Sequence, residues 1–184
     1  MPRAPAPENV AALQSAHAGG ITPAMTSPDP PYLEDLGPDA LRRAGVPAPF
    51  VFGRADMVRF GEIDALGHVN NTAYLRWFET LRQRYIEARG LHDYGDGSFG
   101  HIVVRRTEAD FLREMRLGAG YVVATRTEAL RRTSFTMSYT VRSGGEECAR
   151  GLAVVVLLDA NGAKHPLPAA VRRRLIEIDG AAEH

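Results

Sequence analysis

The sequence predicts an α+β domain in which an antiparallel sheet wraps around one long central helix, with a short helix near the C-terminus. Three observations carry that expectation. Tyr74, Phe78, Leu81 and Tyr85 recur at the i, i+4, i+7, i+11 spacing of one helical face. From His101 to Asp159 the helical period is gone, and alternating or apolar segments separated by turn residues replace it. Leu167 to Ile178 (LPAAVRRRLIEI) then returns to a helical pattern with Val171, Leu175 and Ile178 on one side. A strongly twisted sheet curled around the long helix would bury the helix stripe and one sheet face together.

Taken in order, Met1 to about Pro30 is rich in Pro and Ala and has no periodicity. Such a segment buries too little apolar surface to offset its ordering entropy, and disorder is expected. Residues 1–48 are therefore read as an N-terminal extension containing one short helix at 38–43, with Pro38 in its first turn and Gly45 after its end. Whether that piece docks or trails is left open by the sequence. The folded domain is expected over residues 49–178, with 179–184 as a tail. Phe50 to Phe60 reads as a first strand. A polar loop follows, then the long helix, capped by Asn70 or Asn71 and ended near Arg89 with Gly90 in a left-handed conformation.

Leu91 to Gly100 is a Gly/Asp-rich loop, and His101 to Phe111 is strand-like. Arg116 to Gly120 is a turn and Tyr121 to Leu130 a further strand. Ser134 to Val141 alternates, with Phe135, Met137, Tyr139 and Val141 on one face. Ser143-Gly144-Gly145-Glu146 is a hairpin turn. The run LAVVVLL within Cys148 to Leu158 suits a central strand buried on both faces.

Composition narrows the function classes. The 184 residues carry a formal net charge of zero, so no general attraction to nucleic acid or an anionic membrane is expected. No run approaches the ~18 apolar residues that span a bilayer, and the N-terminus lacks the basic-then-apolar order of a signal peptide. The cytoplasm is the expected compartment. The single cysteine, Cys148, precludes an internal disulfide and reads as an inert buried thiol. His-rich or Cys-rich metal spacing, a Walker-type loop and a Gly-x-Ser-x-Gly elbow are missing.

The chemistry is expected in the loop before the long helix. Asp64, Gly67, His68, Asn70 and Asn71 crowd into eight positions. The free N–H groups of the helix start point toward them. That arrangement suits polarising a carbonyl. Glu79 and Arg82, at i, i+3, are expected to form an ion pair, and Arg172 to Arg174 a solvated face.

The block Asp64-x-x-Gly67-His68-Val69-Asn70-Asn71-x-x-Tyr74-Leu75, followed by Trp77-Phe78-Glu79 and Arg82, resembles the acyl-CoA thioesterase branch of the hotdog fold. 4-Hydroxybenzoyl-CoA thioesterase is the reference member of that branch. Asp110 to Arg113, Arg116 to Gly118 and Arg131 to Phe135 are similar to later pieces of the same family, and the resemblance spans roughly Val51 to Leu175. The His-Val-Asn-Asn block also resembles plant acyl-ACP thioesterases. Two departures stand out: many bacterial relatives have histidine where this chain has Asn71, and the plant asparagine between aspartate and histidine is Leu66 here.

The resemblance implies hydrolysis of an acyl-CoA or acyl-ACP thioester without a metal, coenzyme A entering only as part of the substrate. It also implies a homodimer or dimer of dimers with sites at subunit interfaces. It places the catalytic aspartate on Asp64, and His68 is the second catalytic candidate. As base or as nucleophile, Asp64 would supply the attacking oxygen. The N–H groups of Val69, Asn70 and Asn71 would form the oxyanion site. Gly67 and Tyr74 are expected to line the substrate site. Arg131 and Arg132 are expected to hold coenzyme A phosphates. Two other functions on this fold remain open at the sequence level, enoyl-thioester hydration and acyl-CoA binding without turnover.

Overall fold

The computed structural model describes residues 30–91 and 101–184. The expected disorder of residues 1–29 and the loop at 92–100 lie outside the described residues. The elements are β1 (Asp35–Leu36), α1 (Pro38–Arg43), β2 (Phe52–Met57), α2 (Asn71–Ala88), β3 (Ile102–Phe111), β4 (Gly120–Leu130), β5 (Ser134–Ser143), β6 (Glu146–Leu157), α3 (Ala169–Asp179) and β7 (Ala182–Glu183). The strands form one sheet in the order β1-β2-β4-β5-β6-β3, with β7 pairing β4. Every pairing is antiparallel except β4 with β7.

The 18-residue α2 buries Ala73, Tyr74, Trp77, Phe78, Leu81, Tyr85 and Ile86. They meet the inward-facing residues of the curled sheet, among them Phe135, Met137, Tyr139, Ala153 and Val155, in one core. Phe78 stacks on Tyr139 with ring centroids 4.6 Å apart. It lies so close to β6 that a Cβ on Gly151 would fall 2.5 Å from its ring. The helix ends as the sequence expects, with Arg89 as its last cap and Gly90 at φ 62°. The Gly144-Gly145 turn has φ of 57° and 82°, the left-handed pair that a two-residue hairpin turn requires.

Both ends of the domain lie beyond the expected boundaries. Residues 35–46 do not trail. Leu36, Leu41 and Val46 bury themselves against Ala55, Val122 and Ala124 on the outer face of β2 and β4. A Cβ on Gly53 would stand 2.7 Å from Leu41 Cδ2, so the glycine is what lets α1 approach. At the other end the six-residue tail is part of the fold. The Asp179 side chain is fully buried. Its Oδ1 accepts Tyr85 O–H at 2.8 Å and the Thr127 N–H at 3.2 Å, and its Oδ2 accepts Arg89 Nε–H at 3.2 Å. The Arg89 guanidinium also lies 4.9 Å over the Tyr85 ring. Burial, with the Asp179 charge next to it, pushes the Tyr85 phenol up from its ordinary value. Beyond Asp179, β7 continues the edge of β4 past the Phe52 start of β2, pairing Ala182 with Ala129 and Glu183 with Leu130.

Three smaller expectations change. Arg82 donates to the Tyr139 hydroxyl at 3.3 Å and forms no ion pair with Glu79 among the described residues. Arg172 to Arg174 are not simply solvated: Arg172 binds Glu183 and the Arg131 carbonyl, and Arg174 donates to the Arg89 carbonyl at 2.6 Å. β6 buries Ala149, Ala153 and Val155 inward, but Leu152 and Val154 on the outer face are only half covered. Cys148 is buried, and burial raises its thiol above the ordinary value.

Removing one partner of a buried charge pair leaves the other uncompensated, at a cost of about 3–5 kcal/mol. Asp179→Ala is therefore expected to lower the unfolding free energy by about that amount, and Tyr85→Phe by about 1 kcal/mol. Urea denaturation of both variants checks this; an unchanged midpoint for Asp179→Ala would show that the tail adds nothing.

Candidate active site

The loop from Arg59 to Asn70 is shaped by its own side chains. Glu62 accepts the Arg59 N–H with Oε2 and the Trp77 indole N–H with Oε1, each at 2.7 Å. The loop is thereby fixed to α2. Ile63 and Val69 pair antiparallel, making residues 64–68 a tight hairpin. Gly67 turns it at φ 79°, a left-handed conformation, and faces open space.

Asp64 sits half-buried in this hairpin. Its Oδ1 accepts the Leu66 N–H at 2.8 Å and the His68 N–H at 3.3 Å. Oδ2 has no hydrogen-bond partner among the described residues. The carboxylate is thus held by one oxygen, with the other free to act.

His68 does not engage the Asp64 carboxylate with its ring. Its Nε2 lies 2.7 Å from Glu114 Oε2, and Arg116 lies 2.7 Å from Glu114 Oε1. Arg116 also approaches His68 Nε2 at 3.4 Å. Guanidinium nitrogens only donate, so with Nε2–H given to Glu114 that approach is between two donors. The hydrogen bond from Arg116, then its charge and that of His68, hold the Glu114 carboxyl below its ordinary range. Glu114 and Arg116 escape sequence reading because only the β3–β4 connection brings them to the loop. The Val69 N–H to Met115 carbonyl bond, 2.9 Å, is the tie that does so.

The expected oxyanion donors are mostly committed. Val69 N–H donates to Met115 and Asn70 N–H to the Glu62 carbonyl at 2.8 Å. Asn70 is the helix cap, its Oδ1 accepting Thr72 N–H at 2.9 Å. Of the three, Asn71 alone keeps an N–H without an acceptor among the described residues. It opens the first turn of α2, at the positive end of the helix dipole.

Tyr74 is 3% exposed, with its ring against Trp77 and Phe111. Burial pushes its phenol up to about 12. It therefore backs the site as core in the single chain instead of facing a ligand. Arg131 and Arg132 are exposed at the β4–β5 turn. The Asp64 hairpin lies near the start of β4, whose 11 residues span about 35 Å at ~3.3 Å each. One chain does not bring the arginines and Asp64 together.

Among the described residues, no group of three or more His, Cys, Asp or Glu is placed to hold a metal ion, and no helix is long and apolar enough to cross a membrane.

An antiparallel sheet curled around one long central helix is the hotdog fold of the thioesterase superfamily. The family comparison agrees. Residues 58–175 match the model of the thioesterase-like superfamily, and the chain belongs to that superfamily. A 1,4-dihydroxy-2-naphthoyl-CoA hydrolase from Synechococcus sp. (strain RCC307) is 30% identical over 125 residues, 64% of this chain and 95% of the relative. A solved thioesterase superfamily structure from Jannaschia sp. CCS1 is 44% identical with a TM-score of 0.78, covering 83% of this chain and 98% of the other. A thioesterase from Thermus thermophilus, solved with coenzyme A and Zn, is 40% identical with a TM-score of 0.62, covering 70% and 93%.

Glu114→Gln is expected to leave the fold intact and to free the His68 ring, which imidazole NMR would report as averaged side-chain couplings. A depressed carboxyl keeps its charge as pH falls through the usual carboxylate range. In the unaltered protein the His68–Glu114 contact should therefore persist across that range and be lost only below it. Loss of the contact at mildly acid pH would contradict the role given to Arg116.

Proposed function

We propose that the chain hydrolyses acyl-CoA or acyl-ACP thioesters to a free acid and a thiol, with Asp64 Oδ2 as the base that activates water. The observation that carries this reading is the half-buried Asp64 carboxylate, anchored through Oδ1 alone, in the hairpin that leads into α2. Water gives its proton to Oδ2 as its oxygen attacks the thioester carbonyl carbon. The developing oxyanion lies toward the Asn71 N–H and the helix start, where fixed dipoles stabilise it without reorganising. Collapse expels the thiolate, which is protonated by solvent. His68, held by Glu114, orients the attacking water. The scheme uses coenzyme A only as part of the substrate, and the proposed setting is the cytoplasm.

The proposed working unit is a homodimer, alone or as a dimer of dimers. β3 closes the sheet with ten residues whose outer edge is unpaired among the described residues. Val103, Val104 and Phe111 are exposed on it. A ten-residue edge with unpaired backbone groups and apolar side chains at both ends, around a charged Arg105–Asp110 centre, offers a second copy a full ladder of hydrogen bonds. The Phe111 end of β3 is the Asp64 end, since Phe111 touches Tyr74. The Ile102 end is the Arg131 end, because Ile102 pairs Leu157 and Ser134 pairs Val156. Two-fold antiparallel pairing of β3 with a second β3 reverses these ends. It would set Arg131 and Arg132 of one chain level with Asp64 of the other. The sideways gap from the second chain's β5 to this β3 is three strand spacings, about 15 Å. A coenzyme A phosphate held there would leave its pantetheine arm to reach the hairpin.

Asp64→Asn is expected to lower kcat/KM for acyl-CoA by about 10²–10⁴-fold, measured as thiol release across short, long and aromatic acyl groups. Full turnover would remove Asp64 from the chemistry, and absorbance loss from crotonyl-CoA without thiol release would point to hydration. Oxygen-18 from water appearing in Asp64 during a single turnover would make it the nucleophile. Mixed dimers of Asp64→Ala and Arg131→Ala/Arg132→Ala chains should hold one intact site and regain activity neither parent shows; no recovery would place both functions in one chain.

A further inference from the structure

We propose that the cleft between α2 and the β2–β4 side of the sheet is a second ligand site, one that takes an organic carboxylate with a flat apolar body. The cleft has a volume of about 580 Å³, within the range of small-molecule sites. Arg54 on β2, Arg76 and Thr80 on α2, and the rings of Trp77 and Tyr121 line it. Asp64, His68, Asn71, Glu114, Arg131 and Arg132 are not among its lining residues. At ~100° per residue, Arg76 and Thr80 are turned by about 140° on average around α2 from Asn71 and Leu75. The cleft takes in the Arg59–Glu62 arm of the loop but none of the groups given a role in hydrolysis.

Charge defines the ligand. Three guanidiniums face two carboxylates in the lining, and both carboxylates are already engaged. Asp56 binds Arg59 through both oxygens, at 2.8 and 2.9 Å. Glu62 spends one oxygen on the Trp77 indole and the other on the Arg59 N–H. Arg54 has no acceptor among the described residues, and its Nε is buried without a partner. Arg76 forms no ion pair among the described residues. A buried donor left unmatched is costly, and a guanidinium matches a carboxylate in plane with two parallel bonds.

Shape defines the rest. Trp77 and Tyr121 stack on each other at 4.1 Å between centroids with 22° between planes, and this buried aromatic pair forms the apolar wall of the cleft beside Arg54. Leu81 and Val123 complete the apolar lining. A carboxylate attached to a ring or a short planar chain would place charge on Arg54 and Arg76 and its body on this wall. Inorganic phosphate could use only the first half of that arrangement.

The chain's one tryptophan is Trp77, so its fluorescence reports directly on the cleft. Titrating the full chain with benzoate should give a saturable change in Trp77 emission. Arg54→Met and Arg76→Met should each weaken binding about tenfold or more, the loss of one charged hydrogen bond. Thr80→Glu, at an exposed helix position that tolerates the change, should abolish binding by supplying a resident carboxylate. Asp64→Asn should bind benzoate as the unaltered chain does. The proposal is overturned if millimolar benzoate gives no saturable change, if Thr80→Glu binds normally while folded, if Asp64→Asn removes binding, or if inorganic phosphate binds as tightly as benzoate.

Discussion

The contact between Phe78 and Gly151 sets the distance between α2 and the sheet. With no side chain at Gly151, the Phe78 ring lies directly on the backbone of β6 and stacks on Tyr139 of β5. Because an interior is packed to near-crystal density, a helix seated this closely admits little sliding or tilt. Everything at its N-terminus inherits that fixity. The Asp64 hairpin is tied to α2 through Glu62 and Trp77, to the cap through Asn70, and to the β3–β4 connection through Val69. An added methyl at Gly151 would therefore disturb the position of a carboxylate it never touches.

The fold was legible because its long helix and its strands write their periods plainly. Tyr74, Phe78, Leu81 and Tyr85 name the buried stripe, and the alternation at Ser134 to Val141 names the inner face of β5. The helix limits followed from local chemistry at Asn70 and Gly90. What escaped was long-range. Asp179 precedes a helix-ending glycine and reads as an ordinary exposed acid. Its partners Tyr85, Arg89 and Thr127 lie more than fifty residues earlier. Leu36, Leu41 and Val46 are too few and too spaced to announce a packed layer, and they gain burial only because Ala55, Ala124 and Gly53 leave room.

The same division runs through the site. Asp64, Gly67 and the capping role of Asn70 could be read from residue type and spacing, since a hairpin and a helix start are local objects. The partner of His68 could not, because Glu114 arrives from the far side of β3. The oxyanion group narrowed for a related reason. Val69 and Asn70 have N–H groups in the expected place, but the carbonyls of Met115 and Glu62 already occupy them. A sequence shows which donors exist; only the fold shows which are free.

The layer formed by α1 has a steric consequence for the convex side of the sheet. Two sheets stacked face to face lie about 10 Å apart, a spacing that a single helix with its side chains fills. α1, sealed over Ala55, Val122 and Ala124, acts as a stopper on that half of the surface. No second sheet can settle over β2 and β4, and only the stretch across β5, β6 and β3 stays open to face-to-face stacking. A peripheral helix of six residues thus restricts the geometries in which larger assemblies of this chain can be built.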